Sequence, residues 1–350
     1  MLILKLLVTL ILSYTFIKIV MRYAKNMKLH YSHISHHTNQ ERLVPVGGGI
    51  GIFFAIISSF LLFEIDILIN YWYIFFSILL IFIIGVIDDI KDVHPYIKFV
   101  VIIFAVIFLI FHDVYITSLG DWFGVDIDMP IYIAIPFTMF AVAGFTNAMN
   151  LIDGIDGLAG VISIIILTLF VLIGLKYNDT LIVAISSISI VSSISFLILN
   201  WNPAKIFMGD SGSLSLGFII SLLAILSIEY IHPITILYLA ALPILDTLIV
   251  MVRRIRRGKS PFDPDKTHIH HILVKFFTTE KNKKNNEKVI TTVFFLAILQ
   301  IVFSGIGYML IDIISNDTNG FVPFVAFFGF CLMFIIFYMI FTGIKKDKNY

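Results

Sequence analysis

The sequence is poor in charged residues and in cysteine. Charged residues make up 13% of its 350 residues, and Cys331 is its one cysteine. A soluble domain carries roughly 25% charged residues, so the composition argues against a soluble protein. A single cysteine excludes an internal disulfide and a thiolate metal cluster. The net charge of +1 provides no strong field for nucleic acid, and the lack of a P-loop argues against ATP-driven transport.

Most of the other residues in the sequence are apolar. They account for 59% of the chain, and the mean hydropathy is +1.00. A helix that spans a membrane needs about 20 mostly apolar residues, and such runs predict an all-α, polytopic membrane protein. The first run has no cleavage site after it, so we interpret it as a retained span. The eleven candidate spans lie near residues 1–21, 46–63, 72–87, 96–111, 131–149, 158–175, 181–199, 213–228, 234–250, 289–311 and 321–343.

Basic residues are distributed very unevenly between the two sets of loops. The odd-numbered loops and the C-terminal tail hold twenty Lys and Arg residues, whereas the even-numbered loops hold only Lys176. Short cytoplasmic loops carry the excess of Lys and Arg in membrane proteins. We therefore predict that the odd loops and the C-terminus are cytoplasmic and that the N-terminus lies outside.

The same odd loops hold nearly every residue suited to chemistry. Acidic, amide and glycine residues cluster in 88–92, 147–157 and 200–213, and histidines follow in 260–271. Oxygen ligands without thiolates suit Mg²⁺, and glycine-rich turns beside helices expose N–H groups that bind phosphate. The pattern predicts an active site for a phosphorylated lipid, a nucleotide, or both, on the cytoplasmic face.

Each cluster also has a purely structural interpretation. Asp88 and Asp89 repel each other at a membrane border unless a cation or proton offsets them, yet they also fit the start of a hydrated loop. Asp153 and Asp156 share one face if they are helical, yet Asp-Gly pairs are also typical of turns and caps. The 268–271 histidines would suit zinc only with a second Cys or His cluster, which the sequence lacks.

Four motifs carry a resemblance to a known family. They are Asp-Asp-x-x-Asp, Asn-Ala-x-Asn-Leu-x-Asp-Gly-x-Asp-Gly, Phe-Met-Gly-Asp-x-Gly-Ser and Ser-Pro-Phe-x-Pro-Asp-x-x-His-x-His-His. In this order they resemble the polyprenyl-phosphate N-acetylhexosamine-1-phosphate transferases, which start several cell-envelope glycans. The resemblance covers essentially the whole chain. It implies a single transferase domain over 1–350, with a cytoplasmic basic, histidine-bearing loop at 251–288.

The resemblance implies a role for each matching residue. Asn150 and Asp210 match the residues that hold the catalytic Mg²⁺, for which Mn²⁺ can substitute. Asp88 and Asp89 match a catalytic acidic pair beside the lipid phosphate. The residues that match substrate-binding positions are Lys98, Asn147, Asp153, Asp156, Asn200, Phe207, Arg253, Arg254, His268, His270 and His271. Among them, Lys98 matches a residue near the phosphates and Phe207 an aromatic that stacks on uracil.

The implied reaction moves an N-acetylhexosamine-1-phosphate, most commonly that of N-acetylglucosamine, from a UDP-sugar to undecaprenyl phosphate in the bacterial inner membrane, with release of UMP. A homodimer is expected by resemblance only.

Two rival functions stay open. A phospho-N-acetylmuramoyl-pentapeptide translocase shares the chemistry, although the histidine motif has the form of the simple-sugar branch. A transporter would place polar residues at mid-membrane on broken helices, and the mid-span positions are mostly apolar.

Overall fold

The prediction of an all-α, polytopic membrane protein is confirmed. Fourteen helices and two small antiparallel strand pairs form the described part of the chain. Contacts divide the chain into two compact units, and the single domain predicted over 1–350 stays a prediction. The computed structural model describes residues 2–29, 31–33, 43–258, 268–278 and 285–346.

The first unit comprises Met1–Ile116 and Pro130–Glu229. Its strands β1 (Tyr31–His33) and β2 (Leu43–Pro45) pair antiparallel. The helices of this unit are α1 (Leu2–Tyr23), α2 (Gly48–Phe63), α3 (Ile65–Asn70), α4 (Trp72–Lys91), α5 (Pro95–Ile110), α6 (Ile131–Ile152), α7 (Leu158–Tyr177), α8 (Thr180–Asn200) and α9 (Asp210–Ser227).

Helix α9 lies at the centre of this unit. It packs against α2, α4, α6, α7 and α8, and nearly all of its side chains are buried. Glycines allow the closest approaches: a Cβ at Gly85 of α4 would lie 2.5 Å from Ser211 Cα, and one at Gly217 would lie 2.9 Å from Met149 Cβ. Contacts this short leave no room for a side chain, so α4 and α6 are both held tightly against α9.

The second unit comprises Thr117–Met129 and Tyr230–Tyr350. Its strands β3 (Ser118–Trp122) and β4 (Val125–Asp128) form an antiparallel hairpin with an irregular register. The helices of this unit are α10 (Pro233–Leu239), α11 (Ala241–Arg256), α12 (Ile269–Thr278), α13 (Asn285–Ser315) and α14 (Phe321–Lys346).

Helices α10 and α11 are bent by 85° relative to each other. Pro243 has no N–H to donate, and its ring excludes the carbonyl of Leu239 from a helical position. That carbonyl instead accepts hydrogen bonds from Gln300 Nε2 at 2.7 Å and Ser304 Oγ at 2.9 Å, both from α13. Gln300 Oε1 in turn accepts the N–H of Leu242 at 3.0 Å. The polar groups freed by the break are therefore satisfied by one neighbouring helix.

Each of the eleven predicted apolar runs contains a helix, but not every helix is long enough to span a membrane. Eight of the described helices meet the length and hydropathy of a span, and α10 with α11 would add one as a bent pair. Helices α2 and α5 have 16 residues each, about 24 Å, which is less than the roughly 30 Å hydrocarbon core. The count of eleven spans stays a prediction.

Candidate active site

Four helix ends meet in the first unit. Helices α4 and α6 end where α5 and α9 begin, and side chains from all four lie in contact there. Asp88 comes from α4, Lys98 from α5, Asn150 from α6 and Asp210 from α9. Residues that lie far apart in the sequence therefore form one cluster, as the motifs predict.

Lys98 joins two carboxylates in this cluster. Its Nζ lies 2.8 Å from Asp210 Oδ2 and 3.2 Å from Asp88 Oδ1. Asp88 Oδ1 also accepts the backbone N–H of Val93 at 2.7 Å, which fixes the turn between α4 and α5. An ammonium group has three N–H donors, so two of them are directed at carboxylates and a third can serve a phosphate oxygen.

Asp89 faces a different direction from Asp88. Adjacent helical residues point about 100° apart, and Asp89 is directed at the start of α9, where it is only 3% exposed. Its Oδ1 accepts the N–H of Asp210 at 2.7 Å, and its Oδ2 accepts the N–H of Ser211 at 3.2 Å. The first N–H groups of a helix have no partner within the helix, so Asp89 caps α9. Its predicted catalytic role stays a prediction.

Gly209 makes this cap sterically feasible. Its φ of 73° lies in the left-handed region that side chains disfavour. A Cβ at this position would lie 2.5 Å from Asp89 Oδ1 and 2.6 Å from Oδ2. The glycine of the Phe-Met-Gly-Asp motif is therefore required both by the backbone conformation and by the carboxylate beside it.

The segment before α9 is held by the start of α2. The N–H of Phe207 donates to the carbonyl of Pro45 at 2.9 Å, and the N–H of Gly48 donates to the carbonyl of Phe207 at 2.8 Å. The N–H of Gly49 donates to the carbonyl of Met208 at 2.9 Å. No role was predicted for these glycines, although three consecutive glycines, Gly47 to Gly49, are a signal of close backbone approach.

Asn150 and Asp210 are the predicted metal ligands, and the Asn150 amide lies close enough to the Asp210 carboxylate to interact with it. A carboxylate and an amide offer the oxygen atoms that Mg²⁺ prefers, and Mg²⁺ commonly uses one or two protein carboxylates and completes its shell with water and substrate phosphate. Within the described ranges, no group of three or more Asp, Glu, His or Cys residues is placed to hold a metal. The pair therefore fits an ion held by few protein ligands.

Asp153, just after α6, adds to an excess of negative charge near this pair. Burial raises the pKa of Asp153 to about 7, and the charges of Asp210, Asp89 and Asp156 act in the same direction. Its surface is only partly covered, but protein surrounds the carboxyl group closely. Several carboxylates around one lysine favour the binding of a further cation.

Asp156 holds the loop between α8 and α9. Its Oδ2 accepts hydrogen bonds from Asn202 Nδ2 and from the N–H of Ala204, both at 2.9 Å. These bonds fix the segment that leads to Phe207, which is half-buried. The predicted contact of Asp156 with the nucleoside stays a prediction.

Asn200 holds the same loop from its other end. Its Oδ1 accepts the N–H of Gly157 at 2.8 Å, and its Nδ2 donates to the carbonyl of Ile206 at 2.8 Å. Asn200 is 2% exposed, and both ends of its amide are used by backbone groups.

Asn147, in contrast, is exposed one turn before Asn150, where its side chain is accessible to a ligand.

The remaining predicted residues belong to the second unit. Arg253, Arg254, His268 and His270 are buried there, and His271 is half-buried. Residues 259–267, the first part of the histidine motif, lie outside the described residues. Burial lowers the pKa of His270 to about 3, and the charge of His271 acts in the same direction. The ring of His270 is therefore neutral at neutral pH.

Sequence reasoning missed a partner of these histidines. Asp246 of α11 is 2% exposed, and its Oδ2 lies 2.8 Å from His268 Nδ1. The signal was present in the sequence, because Asp246 is an acid inside the apolar run 234–250. An ionisable residue in such a run is expected to have a specific partner and often a function.

Known proteins resemble this chain over the region that holds the cluster. The sequence model of a family described as Glycosyl transferase family 4 matches residues 71–228, which include every predicted site residue of the first unit. A probable undecaprenyl-phosphate N-acetylglucosaminyl 1-phosphate transferase of Bacillus subtilis is 31% identical over 249 residues, 69% of each chain. An undecaprenyl-phosphate alpha-N-acetylglucosaminyl 1-phosphate transferase of Yersinia pestis is 29% identical over 255 residues, 69% of this chain and 68% of that protein.

Proposed function

The chain belongs to glycosyl transferase family 4, the polyprenyl-phosphate hexosamine-1-phosphate transferases, and we propose that it transfers N-acetylglucosamine-1-phosphate from UDP-N-acetylglucosamine to undecaprenyl phosphate, with release of UMP. The names of both relatives support this sugar and this lipid. The observation that carries the proposal is the Asp88–Lys98–Asp210 bridge beside Asn150, inside the segment that matches the family.

Charge neutralisation is the main task in this reaction. The lipid phosphate and the diphosphate of the sugar donor are both anions, and an oxygen of the first attacks the β-phosphorus of the second. Electrostatic groups fixed in advance contribute most to such transfers. Lys98 is already held between Asp88 and Asp210, and its third N–H would bind a phosphate oxygen without rearrangement of the side chain.

Asn150 and Asp210 would hold Mg²⁺ through their oxygen atoms, and the ion would neutralise negative charge on the phosphates. Asp89 would act on this arrangement through the backbone, because it holds the residue that supplies the acidic ligand. We therefore place the lipid phosphate next to Asp88 rather than Asp89. A phosphate monoester has a second pKa near 6 and is mostly dianionic at neutral pH, so Asp88 would accept only a residual proton.

The cluster would lie at the cytoplasmic border of the inner membrane. The excess of Lys and Arg in the odd loops and tail supports this orientation, with the N-terminus outside and the C-terminus inside. The lipid tail would stay in hydrocarbon, while the UDP-sugar would arrive from the cytosol. A fluorescent reporter fused after α14 should fold and fluoresce, whereas a periplasmic phosphatase fused there should be inactive. The reverse result would contradict the orientation.

The decisive test of the reaction is the release of UMP by the purified protein in detergent with undecaprenyl phosphate and Mg²⁺. UDP-N-acetylglucosamine should be turned over, and UDP-N-acetylmuramoyl-pentapeptide should not. The reaction should also run backwards with UMP, because one diphosphate replaces another. Turnover of the pentapeptide donor alone would identify a muropeptide translocase, and the absence of UMP with every donor would reject the proposal.

A further inference from the structure

A cavity in the first unit lies apart from the catalytic cluster. Its volume is about 370 Å³, within the roughly 300–1,000 Å³ of known ligand pockets. Its walls come from the start of α1, the end of α2, the end of α7 and the start of α8. Helix α2 begins, and α8 ends, beside the segment that leads to α9. The cavity therefore lies at the opposite ends of these helices from the cluster, which is the outer border of the membrane in the proposed orientation.

The walls of this cavity are mostly apolar. Leu6, Phe63 and Ile188 line it from three different helices. Leu175 also lines the cavity, yet 58% of its surface is exposed. Helix α7 is apolar and long enough to span a membrane, so an exposed leucine on its side contacts lipid chains. The cavity thus opens toward the hydrocarbon, and an acyl chain can enter it without crossing water.

One ion pair borders the cavity. Lys5 Nζ of α1 lies 2.6 Å from Glu64 Oε1 and donates to the carbonyl of Phe63 at 3.3 Å. The last carbonyls of a helix have no partner within it, so Lys5 satisfies the end of α2. An ammonium group has three N–H donors. Within the ranges that the structure describes, two of these donors are used, and the third can serve a phosphate oxygen.

A second acid gives the lining an excess of negative charge. Asp179 also lines the cavity, and its Oδ1 accepts the N–H of Ile182 at the start of α8. Among the described residues of the lining, Lys5 is the one base, and Glu64 compensates it. Like charges repel at short range, so the lining disfavours a purely anionic head group. A zwitterionic head group fits it, because its phosphate can contact the lysine while its cationic group contacts the acids.

We propose that this cavity binds one phospholipid whose head group carries a primary ammonium, as in phosphatidylethanolamine. An acyl chain lies along the apolar walls, the phosphate accepts a hydrogen bond from Lys5, and the ammonium donates to Glu64 or Asp179. Hydrogen bonds between charged groups are roughly twice as strong as neutral ones, and they select the head group. No described residue of the catalytic cluster lines the cavity, so this site is separate from the proposed reaction.

Native mass spectrometry of the delipidated protein in detergent tests the choice of lipid. Phosphatidylethanolamine and phosphatidylglycerol with the same acyl chains differ only in the head group. The first should form a one-to-one adduct at least about fivefold more tightly, the scale for one partly exposed charge pair. It should also raise the melting temperature more than phosphatidylglycerol does, because a ligand that binds only the folded state stabilises that state. Equal binding, or a preference for phosphatidylglycerol, would overturn the proposal.

Glu64→Gln tests the contact with the head group. The variant removes the excess of negative charge, so the affinities of the two lipids should come within about twofold of each other. Asp66→Asn is the matched control, because Asp66 is an exposed acid two residues further on that does not line the cavity. The control should retain the wild-type preference. An unchanged preference in Glu64→Gln would show that this charge does not select the lipid, and would overturn the proposal.

Ala184→Phe tests the cavity without a change of charge, and it covers the case in which Glu64→Gln fails to fold. Ala184 lines the cavity from α8, so the larger ring should occupy the space of the acyl chain. Phosphatidylethanolamine should then no longer raise the melting temperature. A shift equal to that of the wild type would place the lipid elsewhere and overturn the proposal. The comparison of the two lipids on the unsubstituted protein needs neither variant.

Discussion

Asp89 accepts a hydrogen bond from the backbone N–H of Asp210 at 2.7 Å, so a carboxylate at the end of α4 positions the carboxylate that begins α9. The N–H of Ser211 donates to the other oxygen. Two acids of the same cluster therefore have separate tasks: one is accessible to Lys98, and the other is buried and holds the backbone. Because Asp89 contacts only the backbone of Asp210, the Asp210 carboxylate can contact Lys98 at 2.8 Å.

Asp89→Asn should destabilise the protein. The substitution puts an NH₂ group against a backbone N–H that now donates to a carboxylate oxygen, and a buried donor without an acceptor costs about 1–3 kcal/mol. Thermal unfolding in detergent should show a lower melting temperature, and UMP release should fall because Asp210 loses its position. Asp66→Asn, at an exposed position of α3, should change neither. Wild-type melting and turnover in Asp89→Asn would show that the cap is dispensable.

Gly209→Ala should be costly, whereas Gly144→Ala should not. The φ of 73° and ψ of 172° at Gly209 form a conformation that is essentially limited to glycine and costs an alanine about 1–3 kcal/mol, and its Cβ would collide with the Asp89 carboxylate. Gly144 lies inside α6 with nothing within 4 Å of an added Cβ, where alanine gains roughly 0.5–1 kcal/mol. The two melting temperatures should therefore move in opposite directions. Equal shifts would contradict this account of the motif.

Lys98→Gln should lower the rate of UMP release by about 100-fold or more, the scale seen when a charge-stabilising donor is removed. The variant leaves Asp88 and Asp210 without the cation that they share. It also removes a positive charge that would neutralise the substrate phosphates. Initial rates at saturating donor and lipid measure the effect. Lys91→Gln, exposed at the end of α4, is the matched control and should retain wild-type rates. A loss of less than about threefold in Lys98→Gln would remove Lys98 from the mechanism.

Chelation of divalent cations should abolish UMP release, and Mg²⁺ should restore it, with Mn²⁺ as a weaker substitute. Asn150→Ala and Asp210→Asn should each raise the Mg²⁺ concentration that gives half-maximal activity, by at least about tenfold. Asn70→Ala, at an exposed position of α3, should leave that concentration unchanged. Activity that persists in excess chelator would exclude the metal.

Stability should decrease in mild acid because of His270. Its folded-state pKa of about 3 lies below the ordinary 6.5, so the unfolded chain binds more protons there than the folded protein. The stability that this difference contributes is present above about pH 6.5 and is lost as the pH falls from there toward 3. His271 and His268 oppose a charge on this ring, and Asp246 favours it.

His270→Leu should therefore reduce the fall in melting temperature between about pH 7 and pH 5. His94→Asn should retain the wild-type fall, because His94 is exposed and asparagine can still accept the N–H of Tyr96. A pH profile of His270→Leu that is parallel to the wild type would show that another group titrates.

The helices and the convergence of the motifs were predictable from the sequence. Runs of apolar residues locate helices because a bilayer requires them, and the order of the motifs identified the family. The bend between α10 and α11 was not predictable from hydropathy. The run is mostly apolar on both sides of Pro243, so its hydropathy gives no sign of the break. Its stabilisation depends on Gln300, which is distant in sequence.

The separate tasks of motif residues could not be read from their spacing. Asp88 and Asp89 are neighbours of the same type, and only the positions of α5 and α9 decide which carboxylate contacts Lys98 and which contacts a backbone. Asn200 shows the same limit, because its amide is used by two backbone groups, the N–H of Gly157 before α7 and the carbonyl of Ile206 before α9. A motif identifies the residues that a site needs, whereas the fold decides which of them are accessible to a ligand.

The hydrogen bonds of Gln300 also determine how the second unit can move. The carbonyl of Leu239 and the N–H of Leu242 are satisfied by α13 rather than by their own helices. If α10 and α11 were straightened or separated from α13, this carbonyl and this N–H would lose their hydrogen bonds while they remain buried. Each unsatisfied group would cost several kcal/mol. The bend is therefore rigid. We expect α10, α11 and α13 to move together as one body.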